Sequence, residues 1–299
     1  MGGRILSTST GTNQEAFTPT DWLLFWSIGI VWGSSFLFIA IGLDAFEPGL
    51  ITWLRVAMGA GVLILFPAAR APVDRYDWPR LIVLSFLWVA IPFTLFPIAQ
   101  QWIDSAVAGM LNGAMPIFAA AIAAILLRKL PRGAQLLGLV VGFTGVVAIS
   151  LPSIGEGETE ALGVILVLIA TLCYGISVNL AAPVQQRYGS LPVMSRMLAL
   201  ATIWTAPLGL AGIPASTFAW DSFLAVAAAG VLGTGVAFVI MGSLVGRVGS
   251  TRSSFITYVI PVVALILGVV FRDDQVTAIA LIGVGLVIIG ALLASRREA

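Results

Sequence analysis

Ten apolar runs separated by short polar connections occupy nearly the whole chain. They are Trp22–Leu43, Leu50–Ala69, Leu81–Ile103, Ser105–Leu127, Gly133–Ile154, Ala161–Gln186, Leu191–Trp220, Ser222–Gly246, Ser253–Phe271 and Gln275–Ser295. A bilayer core about 30 Å thick is crossed by roughly 20 apolar residues in a helix. Each run therefore predicts one membrane-spanning helix, and the connections are too short to hold a soluble domain. The fold class that follows is all-α, an integral membrane protein of ten transmembrane helices. The arm at residues 1–20 is rich in Ser, Thr, Gly and Asn, a composition expected of a disordered arm. The first run lacks a small-residue cleavage signature and reads as a spanning helix, not a signal peptide.

The distribution of charge sharpens this picture. Only 10% of residues are charged, against about 25% in a soluble domain, and mean hydropathy is +1.05. The net charge of +1 gives no sign of a nucleic-acid partner. With the N-terminus inside, the tails and even-numbered connections carry twelve basic residues: Arg4, Arg70, Arg75, Arg80, Arg128, Lys129, Arg132, Arg187, Arg247, Arg252, Arg296 and Arg297. The odd-numbered connections carry only Arg272. Basic residues mark the cytoplasmic side, so both termini are predicted to be cytoplasmic, in a multi-pass protein of a bacterial-type inner membrane.

The chain also repeats itself. Asn112-Gly-Ala-Met-Pro116 matches Thr257-Tyr-Val-Ile-Pro261 at an offset of 145, and Gly138 and Gly145 match Gly283 and Gly290 at the same offset. Trp32-Gly33-x-Ser35 matches Tyr174-Gly175-x-Ser177, and Arg55 matches Arg196. The unit has five spans, an odd number, so the two halves must be inverted relative to each other. The predicted organisation is a first repeat over 21–154, a linker over 155–160, a second repeat over 161–295 and a tail over 296–299. Inverted repeats characterise secondary transporters, with substrate bound near mid-membrane at the repeat interface.

These residues resemble the drug/metabolite transporter superfamily in its ten-helix form built of two EamA-type repeats. The likeness rests on Trp32-Gly33, Arg55 after Glu47-Pro48, Pro116, the Gly138/Gly145 pair and their partners in the second half, and it covers about Trp22 to Ala294. Among the branches of that superfamily the chain is most similar to bacterial exporters of aromatic and other amino acids. The resemblance implies a central cavity lined by both halves, with the fifth and tenth helices packed peripherally. Tyr174 departs from the pattern, standing where a second Trp is common.

Candidate site residues follow from depth and chemistry. Trp32, Trp88, Asn112, Tyr174 and Tyr258 lie deep in repeat-matched or neighbouring spans and are candidates to line a substrate cavity; packing between helices is the competing reading. Arg55 and Arg196 are the two charges inside apolar runs. A central arginine costs roughly 2.5–3.5 kcal/mol on insertion scales, so each either snorkels to the headgroups or faces the interior, as a gate or a substrate-charge contact. Pro116 and Pro261 remove a helix hydrogen bond mid-span and predict matched kinks, while Pro92 and Pro97 make the third span another candidate for bending.

The absences narrow the function. There is no histidine, the single cysteine is Cys173, and no Asp or Glu lies inside an apolar run. Metal sites, catalytic residues, cofactors and a buried-acid proton relay are therefore not expected, nor is a phosphate-binding Gly-Lys-Ser/Thr loop present. The reading is a non-enzymatic secondary transporter, functional as a monomer in the lipid bilayer. It exports a small-molecule substrate, an amino acid or similar metabolite, by facilitated or exchange alternating access. A multidrug or nucleotide-sugar/sugar-phosphate carrier is the alternative, and a membrane-embedded enzyme a remote one.

Overall fold

The computed structural model describes residues 17–128 and 133–294. The expectations for the rest of the arm, for Lys129 and Arg132, and for the 296–299 tail lie outside the described residues. Among those described there is no strand, and ten helices follow the ten apolar runs. They are α1 (Pro19–Leu43), α2 (Pro48–Ile64), α3 (Arg75–Ala99), α4 (Ser105–Asn112 continued by Met115–Leu127), α5 (Gly133–Glu156), α6 (Glu158–Tyr188), α7 (Ser190–Gly212), α8 (Trp220–Val248), α9 (Ile256–Arg272) and α10 (Ala278–Ala294). The shortest, α2, α9 and α10, have 17 residues each. That is about 26 Å of helix, still enough to cross a bilayer core. Leu23, Leu65, Val270, Phe271 and Ile282 are all more than half exposed, as side chains facing lipid must be.

Two boundaries differ from the hydropathy pattern. The second run extends to Ala69, but α2 stops at Ile64 and a 3-10 turn follows over Pro67–Arg70. Pro67 has no N–H with which to continue the helix. Arg70 then donates from Nε to the Ile64 carbonyl (2.8 Å) and from Nη2 to that of Leu65 (3.3 Å), capping the open end. The seventh run extends to Trp220, but α7 ends at Gly212 and Trp220 opens α8 instead.

The halves are related helix by helix. α1 lies on α8 and α9, as α6 lies on α3 and α4; α2 packs on α8, as α7 packs on α3. The pairs α2/α7, α4/α9 and α5/α10 join the halves. Both α4 and α9 end in a left-handed residue that is not glycine, Arg128 (φ 52°) and Asp273 (φ 55°), again 145 positions apart. The repeated glycines explain the α5/α10 contact. A Cβ at Gly145 would stand 2.6 Å from both the Gly283 carbonyl oxygen and the Val287 nitrogen, so only glycine lets these backbones meet.

Neither α3 nor α8 is a uniform α-helix. Each contains a six-residue π-turn, Ser85–Ala90 in α3 and Val231–Val236 in α8. In α3 the cause is legible. Pro92 follows the turn, and its ring would clash with the carbonyl four residues back in a regular helix. In α8 no proline is present, and the turn contains Gly233 and Gly235. Pro116 follows a break in α4 at Gly113–Ala114, whereas Pro261 lies inside α9, beyond a break at Ser254–Phe255. Matched prolines thus sit in differently shaped helices.

Candidate functional site

Because α2 ends at Ile64, Arg55 has seven helical residues before it and nine after it. It is only 7% exposed, its side chain turned into the protein and not along the helix to a headgroup. Glycines bring α8 close: a Cβ at Gly230 would lie 2.9 Å from the Arg55 carbonyl oxygen, and one at Gly59 would lie 2.6 Å from Thr234 Cγ2. Across this contact Arg55 Nε donates to Thr234 Oγ1 (3.2 Å). The guanidinium sits over the Phe93 ring, 4.1 Å from its centroid, a cation–π contact. Among the described residues no carboxylate pairs with this cation. A buried charge left without a counter-ion is costly.

Aromatic rings surround this centre. Tyr174 stacks on Phe96 (6.0 Å between centroids), and Phe36 meets Phe96 edge-on (5.4 Å). Trp32 donates from Nε1 to the Gly233 carbonyl (2.9 Å), within the α8 π-turn, and meets Phe238 edge-on (5.9 Å). Trp32, Tyr174 and Tyr258 border the same apolar core. Trp88 lies in the α3 π-turn and borders a second core, which Tyr174 also touches. Asn112 is buried in α4 with no partner for Oδ1, and the fully buried Ser177 has none for Oγ.

Arg196 does not join this group, although it matches Arg55 in the repeat. Its Nη1 donates to the carbonyls of Ala69 (2.7 Å) and Pro192 (3.2 Å), and Nη2 to that of Arg70 (3.3 Å). It fastens the α2–α3 connection. Phe93, Phe96 and Thr234 were not singled out by the sequence. The first two are spaced i, i+3 on α3, which could have marked a shared face; Thr234, between two glycines, carried no signal.

Ties between the halves stand at both ends of the molecule. Where α1 ends and α2 begins, a cavity of about 510 Å³ opens, lined by Asp44, Glu47, Gln100, Gln101, Thr217 and Arg272. At its edge Arg272 grips Asp44 through two bonds (2.8 and 3.0 Å). Nearby, Asp274 Oδ2 accepts from Ser105 Oγ (2.7 Å) and Ala106 N (2.8 Å), capping α4 from the other half. The opposite end is latched twice. Asp21 of α1 pairs with Arg247 of α8, and Asp77, in the first turn of α3, accepts from Arg187 (2.8 Å) and Tyr188 (2.8 Å) of α6. Each latch ties the first half to the second. Among the described residues no cluster of His, Cys, Asp or Glu could hold a metal ion.

The profile of the EamA-like transporter family matches the chain twice, over residues 21–151 and again over 161–296. This chain belongs to the EamA-like transporter family. Its relatives in that family span its length. An uncharacterized transporter of Archaeoglobus fulgidus is 23% identical over 287 residues, covering 93% of this chain and 99% of that protein. The uncharacterized transporter YdfC of Bacillus subtilis is 26% identical, covering 88% and 86%. The probable terminal-alkyne amino-acid exporter of Streptantibioticus cattleyicolor is 25% identical, covering 92% and 93%. One solved crystal structure shares the fold, with a TM-score of 0.60 at 20% identity over 93% of this chain and 97% of that one. The EamA-family protein described here is thus a multi-pass membrane transporter, with a buried arginine at the centre of its helices that no carboxylate pairs with among the described residues.

Proposed function

We propose that this transporter exports small amphipathic metabolites, apolar and aromatic amino acids foremost, by alternating access. The observation that carries this reading is Arg55, a cation without a carboxylate partner at mid-membrane, seated over Phe93 beside Phe96 and Tyr174. A guanidinium receives a carboxylate through two parallel bonds, and the rings suit an apolar side chain. Trp32, Trp88, Asn112, Tyr174 and Tyr258 form the wall of the path, and Asn112 Oδ1, lacking a partner, is an acceptor for the substrate's ammonium group. The probable amino-acid exporter among the relatives agrees with this choice. In this reading residues 21–154 and 161–295 are the two moving repeats. Both termini are cytoplasmic in an inner membrane, and the open cavity faces outward. The protein works as a monomer, without catalysis.

Phosphorylated substrates call for several cations in the cavity. Arg196 is committed to loop carbonyls, leaving Arg55 alone, which disfavours the nucleotide-sugar alternative. The test is uptake of labelled amino acids into proteoliposomes. L-Phenylalanine should be carried, and Arg55→Gln should reduce its kcat/KM about thirtyfold or more, as loss of a buried charge pair of 2 kcal/mol implies. A pH gradient imposed at clamped voltage should produce no accumulation, since no acid stands at the site. Equal transport by Arg55→Gln, or accumulation driven by pH alone, refutes the respective claim.

A further inference from the structure

The two matched arginines have different partners. Arg55 meets the α8 π-turn, whereas the α3 π-turn is met from α7 by Trp204, which donates from Nε1 to Ser85 Oγ (3.1 Å) and stacks on Phe86, and not by Arg196. The fourth residue of the α8 turn is Thr234, and the fourth residue of the α3 turn is Trp88. Threonine can accept a hydrogen bond from a guanidinium; an indole cannot, because its nitrogen is only a donor.

The π-turn also fixes which way the hydroxyl works. Thr52, Thr94, Thr171, Thr202 and Thr205 each donate to the carbonyl four residues back. Thr234 instead donates to the carbonyl of Ala229, five residues back, at 3.0 Å. The wider turn places that carbonyl within its reach. With its one proton committed there, the Thr234 hydroxyl presents lone pairs to Arg55 Nε. The neighbouring Gly233 carbonyl is taken by Trp32, so the turn is held from α1 as well.

We propose that Thr234 is the positioning residue of the substrate site. Its hydroxyl, polarised by the π-turn, holds Arg55 by Nε and leaves both Nη groups directed at the solute's carboxylate. This inference rests on the reading of Arg55 as the carboxylate contact. It assigns to α8 a part in solute selection.

The experiment measures ligand-dependent thermal stabilisation of the purified full-length protein by L-phenylalanine and by L-phenylalaninamide, which lacks only the carboxylate charge. Wild type should be stabilised by the acid at concentrations at least about tenfold lower than by the amide, as one charge-assisted contact provides. Thr234→Val keeps the branched shape and removes the acceptor. It should raise the half-saturating concentration for the acid about tenfold and leave that for the amide unchanged. Thr234→Ser should restore the wild-type ratio. General damage to the fold would weaken both ligands together, and that result overturns the assignment. So does a wild-type ratio in Thr234→Val; if Arg55→Gln still abolishes the acid preference, the carboxylate reading stands and only the role of Thr234 falls. If wild type itself does not distinguish acid from amide, the carboxylate reading fails and this inference fails with it. Should Thr234→Val not fold, Thr234→Ala is read by the same acid-to-amide ratio.

Discussion

Arg55 and Arg196 show how much a single residue's role depends on what lies opposite it. Their identity and matched places were visible in the chain, but snorkelling and burial could not be separated, because each lies within about two turns of one end of its run. The structure turns Arg55 inward, onto Thr234 and over the Phe93 ring. Arg196 lies six residues into α7 and reaches the carbonyls of Ala69 and Arg70. Its loss should therefore loosen the α2–α3 connection without touching carboxylate selection. Arg196→Gln is expected to lower the thermal midpoint of the purified protein by a few degrees and to leave the acid-to-amide preference at its wild-type value. A changed preference would place Arg196 in the substrate path after all.

At the scale of elements, the glycine pattern was the most readable feature. Gly138, Gly145, Gly283 and Gly290 recur at the repeat offset, and the structure places them where α5 and α10 touch backbone to backbone. Gly145→Val inserts a branched side chain against the Gly283 carbonyl and Val287, and overpacking of this kind costs about 1–3 kcal/mol. The variant should melt earlier, while its residual transport keeps a wild-type KM, since these helices lie away from Arg55. A raised KM with normal stability would contradict that placement. The bends were less readable. Proline announces a bend because it removes a donor, and Pro92 marked α3 in this way. The α8 π-turn has no such mark. It is selected by packing, with Trp32 and Arg55 taking up the polar groups that the widened turn presents.

Ties cross between the halves at both ends of the molecule, Arg272–Asp44 and Asp274–Ser105 beside the cavity and Asp21–Arg247 and Asp77–Arg187 opposite. A carrier that alternates must break such ties to expose its site to the second side. Neutralising one should shift the population away from the state described here. With Cys173→Ala as background and a cysteine at Gln101 in the open cavity, adding Asp77→Asn should slow labelling by an impermeant thiol reagent. Unchanged or faster labelling would show that the Asp77 latch does not hold this state. Orientation is tested in the same background. A cysteine at Glu158 should react from outside the cell and one at Arg128 should not, as the basic residues of the even connections require. The reverse pattern would overturn the assignment of the open cavity to the outer face.

Hydropathy, basic-residue asymmetry and internal repetition determined by themselves that this chain forms ten membrane helices in two inverted halves. Each of these signals is local or periodic, so it survives in one dimension. The π-turn of α8, the separation of Arg55 from Arg196 and the ties between the halves at the two ends were decided only in the tertiary structure. All three depend on partners 110 to 230 positions away or on where a helix yields to a packing contact. A repeat in sequence places equivalent residues at equivalent depths; it does not make their neighbours equivalent. Arg55 meets Thr234 in the centre of the protein, while its match Arg196 meets the carbonyls of the α2–α3 connection at the edge.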